Sequence, residues 1–249
     1  MAFCSKTICA VLVTTVVAGF AINASAQQRP RPGQPSPPAQ AQPASPPAQA
    51  QPAPAAAPNA NLSDNSETAT VSGFRSAKFG MTEAEVRTTI QSDFRVKPGD
   101  IKTEENPGEQ TRVLTARVPD LLQGGGTADV AYVFGYKTKK LIQVSIAWSK
   151  QTDDNLNAER LFSNANILRA HFVGAGYKPD SIVTNGVVNN GLIMFRGSDA
   201  ADRTTLLLLQ GTTTAGENQQ RVLTPTGLLL FYLADAKNPD VFRLPRGQF

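Results

Sequence analysis

The chain has 249 residues, with 24 basic and 20 acidic side chains and a net charge of +4. Lys6, Arg29 and Arg31 precede residue 60 and every acidic residue follows it, so residues 62–249 carry 21 basic and 20 acidic side chains. A region so close to neutrality, with no stripe of lysine and arginine between aromatic residues, gives no indication of nucleic-acid binding. We therefore expect no nucleic-acid partner.

Residues 1–26 have the pattern of a secretory signal peptide, with an apolar run at 8–22 and the cleavage motif Ala-Ser-Ala at 24–26. The run has 15 residues, fewer than the roughly 20 that span a bilayer. Both cysteines, Cys4 and Cys9, lie inside this leader, so the mature chain would have no thiol and no disulfide. The leader predicts a periplasmic or secreted protein. The alternative is an uncleaved leader that serves as a membrane anchor.

Residues 27–61 consist mostly of proline, alanine and glutamine. The nine residues 36–44 recur unchanged as 45–53. Such a composition has too little apolar side-chain area to offset the entropy of ordering, and it favours polyproline II conformations. We predict a disordered, low-complexity linker, which is either a solvated spacer or a proline-rich ligand for another protein.

The first helix of the folded region has a well-specified start. Thr82 is placed as the N-cap, and Glu85 three residues later completes a capping box. Met81 and Val86 have the spacing of a hydrophobic staple, and Glu83 adds negative charge at the helix N-terminus. A helix is therefore predicted to begin at Glu83.

Strands are predicted after this helix, at residues 112–118, 128–134 and 141–148. The last two would form a hairpin around 135–140. In the last strand, apolar residues alternate with polar or small ones, as in a sheet with one covered side. The glycine-rich residues 123–126 are predicted to form a flexible loop.

A second helix followed by strands is predicted from residue 153 onwards. Residues 153–157 are rich in helix-capping side chains. Seven apolar residues then recur at helical spacing: Ala158, Leu161, Phe162, Ala165, Leu168, Phe172 and Ala175. Strands are expected at four further places, with an Asn-Gly hairpin turn between the first two: residues 181–188, 192–196, 204–210 and 226–234.

These elements predict an α+β fold within residues 62–249. Repeat one covers about 71–150 and repeat two about 151–236, each a helix followed by antiparallel strands, and a C-terminal tail follows at 237–249. We expect the repeats to form one antiparallel sheet with both helices on one face. Two separate α+β units are the alternative.

Residues suited to catalysis or metal binding are few. His171 is the only histidine, and zinc sites need three or four ligands. Asp153 and Asp154 have the position of helix caps, whereas Glu104 and Glu105 are expected in a solvated loop. We therefore predict that the protein is not an enzyme and has no cofactor and no metal.

Two continuous apolar runs, at 206–209 and 228–233, distinguish the second repeat from the first. Alternation along a strand would place Leu228, Leu230 and Tyr232 on one side of the sheet, beneath the helix stripe. The predicted binding face is the set on the opposite side: Leu206, Leu208, Leu229, Phe231 and Leu233. Alternatively, loops and the tail at 241–249 cover these side chains as ordinary core.

The motif Gly80-Met-Thr-Glu-Ala-Glu-Val86 resembles the helix start of small bacterial envelope proteins of the β-lactamase-inhibitor-like and BamE-type group. The resemblance implies a duplicated helix-plus-strands domain. It also implies binding to other proteins rather than catalysis.

We therefore predict a secreted, periplasmic, non-enzymatic domain that binds an envelope protein through its sheet. A second copy of the chain is another possible partner, and membrane contact is expected only if the leader is retained. The alternative is a small-molecule or lipid-binding module with a pocket between sheet and helices, near Trp148 and Tyr232.

Overall fold

The computed structural model describes residues 68–215, 221–245 and 247. The predicted leader and linker lie outside the described residues. The two α-helices are α1, Glu83–Phe94, and α2, Ala158–Val173. The ten strands are β1 Gly73–Phe74, β2 Ala77–Lys78, β3 Lys102–Asn106, β4 Thr111–Val118, β5 Ala128–Phe134, β6 Leu141–Ser149, β7 Gly186–Val188, β8 Gly191–Ser198, β9 Thr204–Ala215 and β10 Arg221–Leu233. In the part of the chain that is described, no helix has the length and apolar character needed to cross a membrane.

Eight of the strands form one antiparallel sheet in the order β3-β4-β5-β6-β10-β9-β8-β7, and β1 and β2 form a separate short ribbon. Strands from the first and second halves of the chain meet where β6 pairs with β10. The predicted α+β class, with two helices and a large antiparallel sheet, is confirmed.

The start of α1 is as predicted. The carboxylate of Glu85 accepts from the Thr82 N–H at 2.7 Å, and the Thr82 hydroxyl accepts from the Glu85 N–H at 3.4 Å. Val86 is fully buried and Met81 packs against the core. The cap thus fixes where the helix begins, and the apolar pair fixes which side faces inward.

Helix α2 begins later than its aspartates suggested. Asn157 is the N-cap, and its side-chain oxygen accepts from the Arg160 N–H at 2.8 Å. Asp153 instead accepts from the backbone N–H groups of Thr127 and Asn155. Its carboxylate therefore joins the loop before β5 to the loop before α2, and it does not cap the helix.

The predicted apolar stripe of α2 is too broad. Phe162 is 49 % exposed, whereas Leu161, Ala165 and Phe172 are buried. Successive helical residues are about 100° apart, so the side of α2 that buries Leu161 turns Phe162 toward solvent. The buried Asn164 completes the inward face, which the apolar pattern did not indicate.

A single core cluster connects both helices with the sheet. Val86 and Ile90 of α1 belong to it, as do the buried apolar residues of α2. The strand residues that contribute share one side of the sheet, as their cross-strand pairing requires: Leu114, Ala116, Val130, Tyr132, Val144, Ile146, Trp148, Leu228, Leu230, Leu207 and Leu209.

A row of aromatic rings runs through this core. The Phe74 ring lies 6.3 Å from Phe94 and 5.7 Å from Tyr232. Tyr232 in turn lies 6.4 Å from Phe172, which stacks on Phe195 at 5.5 Å. Aromatic packing thus connects the end of α1 to α2 across β10, which is consistent with one shared core rather than two.

The glycine-rich residues 123–126 form a loop, as predicted, but one part of this loop packs against α2. Gly125 is buried, and its carbonyl oxygen accepts from the side-chain amide of Asn164 at 2.8 Å. A Cβ atom on Gly125 would lie 2.9 Å from the Leu122 carbonyl oxygen and 3.0 Å from Asn164 Oδ1. Glycine is required here because the loop is pressed against α2.

Two further differences concern strand limits. Residues 102–106, which include Glu104 and Glu105, form the edge strand β3 rather than a loop, although both glutamates are exposed as expected. Strand β9 continues past the predicted end at 210, and β10 begins before the predicted start at 226, because Gly211 and Pro225 lie within paired strands.

Candidate protein-binding face

The five predicted face residues lie on one side of the sheet. Leu208 pairs with Leu229, Leu206 pairs with Phe231, and Leu233 pairs with Thr204. Residues directly opposite each other on antiparallel strands project to the same side. The structure therefore brings the predicted set together, and we call these five residues the candidate face.

The candidate face is separate from the core. None of its members belongs to the core cluster or packs against it, whereas Leu228 and Leu230 between them are core residues. Leu229 is 7 % and Phe231 5 % exposed, while the other three are partly exposed. Leu229 and Phe231 are thus buried although they lie outside the core cluster, and the three other leucines form the accessible part of the face.

Strand β8 extends this surface with residues that were not predicted. Ile193 pairs with Leu208, and Arg196 pairs with Leu206, so both project to the same side. Val183 pairs with Arg196 from the other direction and is 37 % exposed. In the sequence, Arg196 is the one charged residue in the run Leu-Ile-Met-Phe-Arg of β8, and this charge was the signal that could have identified it as a surface residue.

The same side of the first half of the sheet is more polar, although Val113 pairs there with Val133. Gln143 and Ser145 of β6 pair with Leu233 and Phe231. Farther out, Arg117 of β4 forms an ion pair with Asp129 of β5, with Nε 2.9 Å from the carboxylate. The continuous leucine surface therefore ends at the β6–β10 boundary, and the pair Val113–Val133 lies apart from it.

A two-stranded arm, residues 211–215 and 221–225, continues from β9 and β10. Strand β8 pairs with β9 only as far as Gln210, and β6 pairs with β10 only from Gly227 onwards. At the base of the arm, a Cβ on Gly211 would clash with the Thr224 carbonyl oxygen, and the register shifts between Pro225 and Gly227. The bulge and the missing proline N–H explain why pairing with β6 stops there.

One side of the arm prolongs the candidate face. Thr212 pairs with Thr224 and Thr214 pairs with Val222, on the side to which Leu208 also projects. Val222 is 49 % exposed. The arm was not predicted, although the β-branched residues on both sides of 216–220 were a signal for longer strands.

The described part of the C-terminal tail lies elsewhere. Asp240 accepts from the N–H groups of Lys137 and Thr138 at 3.0 and 2.9 Å, and the Phe242 N–H donates to the Glu109 carbonyl oxygen at 2.8 Å. These contacts hold the tail at the β5–β6 and β3–β4 turns. The tail as far as Phe242 therefore lies at these turns, and the alternative that residues 241–249 cover the apolar strands stays a prediction for the remainder, of which residues 246, 248 and 249 lie outside the described set.

Two carboxyl groups near the tail have shifted pKa values in opposite directions. Burial works against ionisation of Asp240, but hydrogen bonds from Thr138 and Lys137 outweigh it and lower the pKa of Asp240. Burial raises the pKa of Glu109, and Arg243 only partly opposes that effect. The tail contact is therefore expected to depend on pH.

Comparisons with protein-family models, with curated proteins and with solved structures found no match.

The described residues contain no cluster of three side chains suited to holding a metal ion. His171 is exposed on α2, and its ring lies 5.2 Å from that of Phe172. Asp199 is buried in the β8–β9 turn, where it accepts from the backbone N–H groups of Val71 and Arg203 at 2.9 Å. These contacts account for the Asp199 carboxylate as a structural group.

Two surface clefts lie away from the candidate face. One, of about 280 Å³, includes Asp202, which pairs with Lys178 and Lys237. The other, of about 310 Å³, includes Arg112, which pairs with two carboxylates, Glu83 at 3.1 Å and Glu105 at 2.7 Å. Asp202 and Arg112 are thus each matched by opposite charges within the chain itself.

The residues expected at the mouth of a ligand pocket lie within the core. Trp148 is 2 % exposed, and Tyr232 lies between Phe74 and Phe172. Burial raises the pKa of Tyr232. The Trp148 Nε1 and Tyr132 hydroxyl groups are buried without a hydrogen-bond partner among the described residues. These rings occupy the space between sheet and helices.

Proposed function

We propose that this protein is a secreted, periplasmic, non-enzymatic domain that binds another envelope protein on the candidate face. The observation that carries the proposal is the position of this face. It is apolar, lies on the central strands β9 and β10, and is separate from the core that the helices share. Contiguous apolar surface of this kind is typical of protein interfaces.

The helices support this assignment. The buried residues of α1 and α2 join the core cluster through strand residues of a single side of the sheet. In our proposal both helices therefore cover that side and leave the candidate face to the partner. The side chains that a partner would cover are Leu206, Leu208 and Leu233, which are partly exposed around the buried Phe231.

We also propose that the two halves arose by duplication. From the central β6–β10 pair outward, the strands follow in the order β6-β5-β4-β3 in the first half and β10-β9-β8-β7 in the second. Both halves therefore have the same arrangement of strands. In each half a 3-10 turn begins with Lys-Pro and is followed by isoleucine: Pro98–Asp100 precedes Ile101, and Pro179–Ser181 precedes Ile182. This short sequence repeat supports the helix-plus-strands duplication.

If the two halves are related by duplication, each residue of β6 has a counterpart at the equivalent position of β10, and Ile146 corresponds to Leu230. The pairing of β6 with β10 is symmetric about the pair Ile146–Leu230, because Val144–Tyr232 lies two residues to one side of it and Trp148–Leu228 two residues to the other. These core positions are apolar in both strands. On the other side, Ser145 corresponds to Leu229 and Ala147 to Phe231. The halves thus keep the same core but differ on the candidate face, which indicates that this face has a role beyond folding.

The test compares capture of envelope proteins by the full chain, expressed from its own leader in its native cells. The double variant L206S/L208S removes apolar surface from the candidate face, and V113S is the matched control on the polar half of the same side. We expect a partner that wild type and V113S retain and the double variant loses. If all three chains capture the same proteins and are monomeric by light scattering, the proposal is wrong.

The alternative of a small-molecule or lipid-binding pocket stays a prediction, and the filled space around Trp148 gives it no support.

A further inference from the structure

We propose that the partner on the candidate face is a protein that presents a carboxylate to Arg196 beside an apolar surface. This inference rests on the proposed function and adds the chemistry of the partner. Arg196 projects to the side of the candidate face, because it pairs with Leu206, and it is exposed.

The surroundings of Arg196 within the chain are apolar. Its immediate cross-strand neighbours on that side are Leu206 and Val183. Among the described residues, its guanidinium makes no hydrogen bond or ion pair, although the backbone of Arg196 pairs with Val183. By contrast, Arg117 on the same side of the sheet is matched within the chain by Asp129 at 2.9 Å.

The contrast between the two arginines suggests the charge of the partner. A guanidinium next to leucine surface is partly desolvated once a partner covers that surface, and an unpaired charge would then oppose binding. A carboxylate removes this cost, since arginine binds it in a bidentate, charge-assisted geometry. Apolar side chains beside a carboxylate on the partner would therefore match both parts of the face.

The polar half of the sheet does not offer the same match. Arg117 already has its partner, and Gln143 and Ser145 on β6 are uncharged. Lys102 also projects to this side, but it lies on the edge strand β3 beside the polar Thr115 and not beside leucine surface. The described part of the tail lies at the β3–β4 and β5–β6 turns. We therefore place the carboxylate-bearing contact at β8–β9 rather than at β4–β5.

The experiment uses carbodiimide, which joins a carboxylate to an amine only when they are in contact. The full-length variant R196K places an amine at the proposed contact, and S145K places one on the polar half as the matched control. We expect R196K to give a covalent adduct with an aspartate or glutamate of the captured protein, identified by mass spectrometry, and S145K to give none. R196E should reduce capture about 30-fold or more, as for a charge pair that becomes buried in an interface.

Other outcomes would contradict the inference. If R196E captures the partner as well as wild type does, the carboxylate is not required, although the proposed function stands as long as L206S/L208S loses the partner. An adduct that joins two copies of this chain would identify self-association instead of a different protein. If R196K gives no protein adduct, and the wild-type chain binds phosphatidylglycerol vesicles that R196E does not bind, Arg196 contacts a lipid phosphate instead. If wild type captures nothing, the proposed function itself fails.

Discussion

The side-chain amide of Asn164 donates a buried hydrogen bond of 2.8 Å to the carbonyl oxygen of Gly125, 39 residues earlier in the chain. It connects α2 to the loop between β4 and β5, and so ties the second half of the chain to the first. A buried carbonyl that loses its donor is destabilising, because no water replaces the lost bond.

We predict that N164A lowers the free energy of unfolding by about 1–3 kcal/mol, as measured by urea denaturation. G125A should also destabilise, since its Cβ would lie 2.9 Å from the Leu122 carbonyl oxygen. The control is G99A, because a Cβ on Gly99 meets nothing within 4 Å. Equal midpoints for G125A and G99A would show that the loop adapts and is not fixed by this contact.

Substitutions on the two sides of β9 and β10 should have different effects. Leu230 is 2 % exposed and belongs to the core, so L230A should cost about 2–5 kcal/mol of stability through lost burial and a cavity. L206S on the candidate face should cost less, because Leu206 is already partly exposed, but it should weaken partner capture. Thermal melts and capture assays measure the two effects. If L206S destabilises as strongly as L230A and leaves capture unchanged, Leu206 is core.

The arm offers a test of how far the binding surface extends. Val222 is 49 % exposed on the side of the candidate face, whereas Thr213 lies on the opposite side of the same arm, paired with Leu223. We expect V222S to weaken partner capture without changing the melting temperature. T213S is the matched control and should change neither quantity. Equal capture by both variants would limit the interface to the sheet.

The N-cap of α1 should contribute measurably to stability. T82A should lower the free energy of unfolding by about 0.5–2 kcal/mol, and T82S should restore most of it, because serine keeps the hydroxyl acceptor. Hydrogen bonds from the Thr82 N–H and hydroxyl lower the pKa of Glu85. The stability from this carboxylate is therefore present above its unfolded pKa and is lost as the pH falls through the folded value. A T82A chain whose stability varies with pH just as wild type does would contradict this coupling.

Docking of the tail should weaken in acid. The pKa of Asp240 is lowered despite partial burial, because Thr138 and Lys137 donate to its carboxylate. The stabilisation from Asp240 is thus complete above its unfolded pKa and disappears as the pH falls through the lower, folded value. We expect lower protection factors against hydrogen exchange at the Thr138 and Phe242 amides in acid, and D240A should show this loss of protection already at neutral pH. The raised pKa of Glu109 acts in the opposite direction, since its protonation favours the folded state.

A second variant distinguishes Asp240 from Glu109. E109Q removes the ionisation of Glu109 but keeps the Glu109 carbonyl oxygen that accepts from the Phe242 N–H. If the acid-dependent exchange persists in E109Q and is absent from D240A, Asp240 is responsible for it. If it disappears in E109Q, the pH dependence belongs to Glu109.

Local signals in the sequence predicted several elements well. The capping box at Thr82 and Glu85 defined the start of α1, and the alternation along 141–148 identified β6. The side of the sheet to which Leu229 and Phe231 project also followed from alternation, because a strand repeats every two residues. These features depend only on neighbours along the chain.

Other features depended on contacts between distant residues. Phe162 fits the apolar stripe of α2, yet the line along which the helix meets the sheet leaves it 49 % exposed. Gly125 looks like part of a flexible loop until Asn164, far along the chain, packs against it. Gly211 and Pro225 look like strand breaks, but each lies in the long β9–β10 hairpin because the partner strand supplies the pairing.

The sequence by itself determined both α-helices, the main strands and which leucines share a side of the sheet, since these follow from helical and strand periodicity. Only the tertiary structure decided that β6 pairs with β10, that the tail lies at the β3–β4 and β5–β6 turns, and that Arg196 lies beside Leu206. The physical reason is that hydrogen-bonded pairing and side-chain packing join residues that are far apart in the chain, and local patterns of charge and hydrophobicity do not specify which distant strand a given strand will meet.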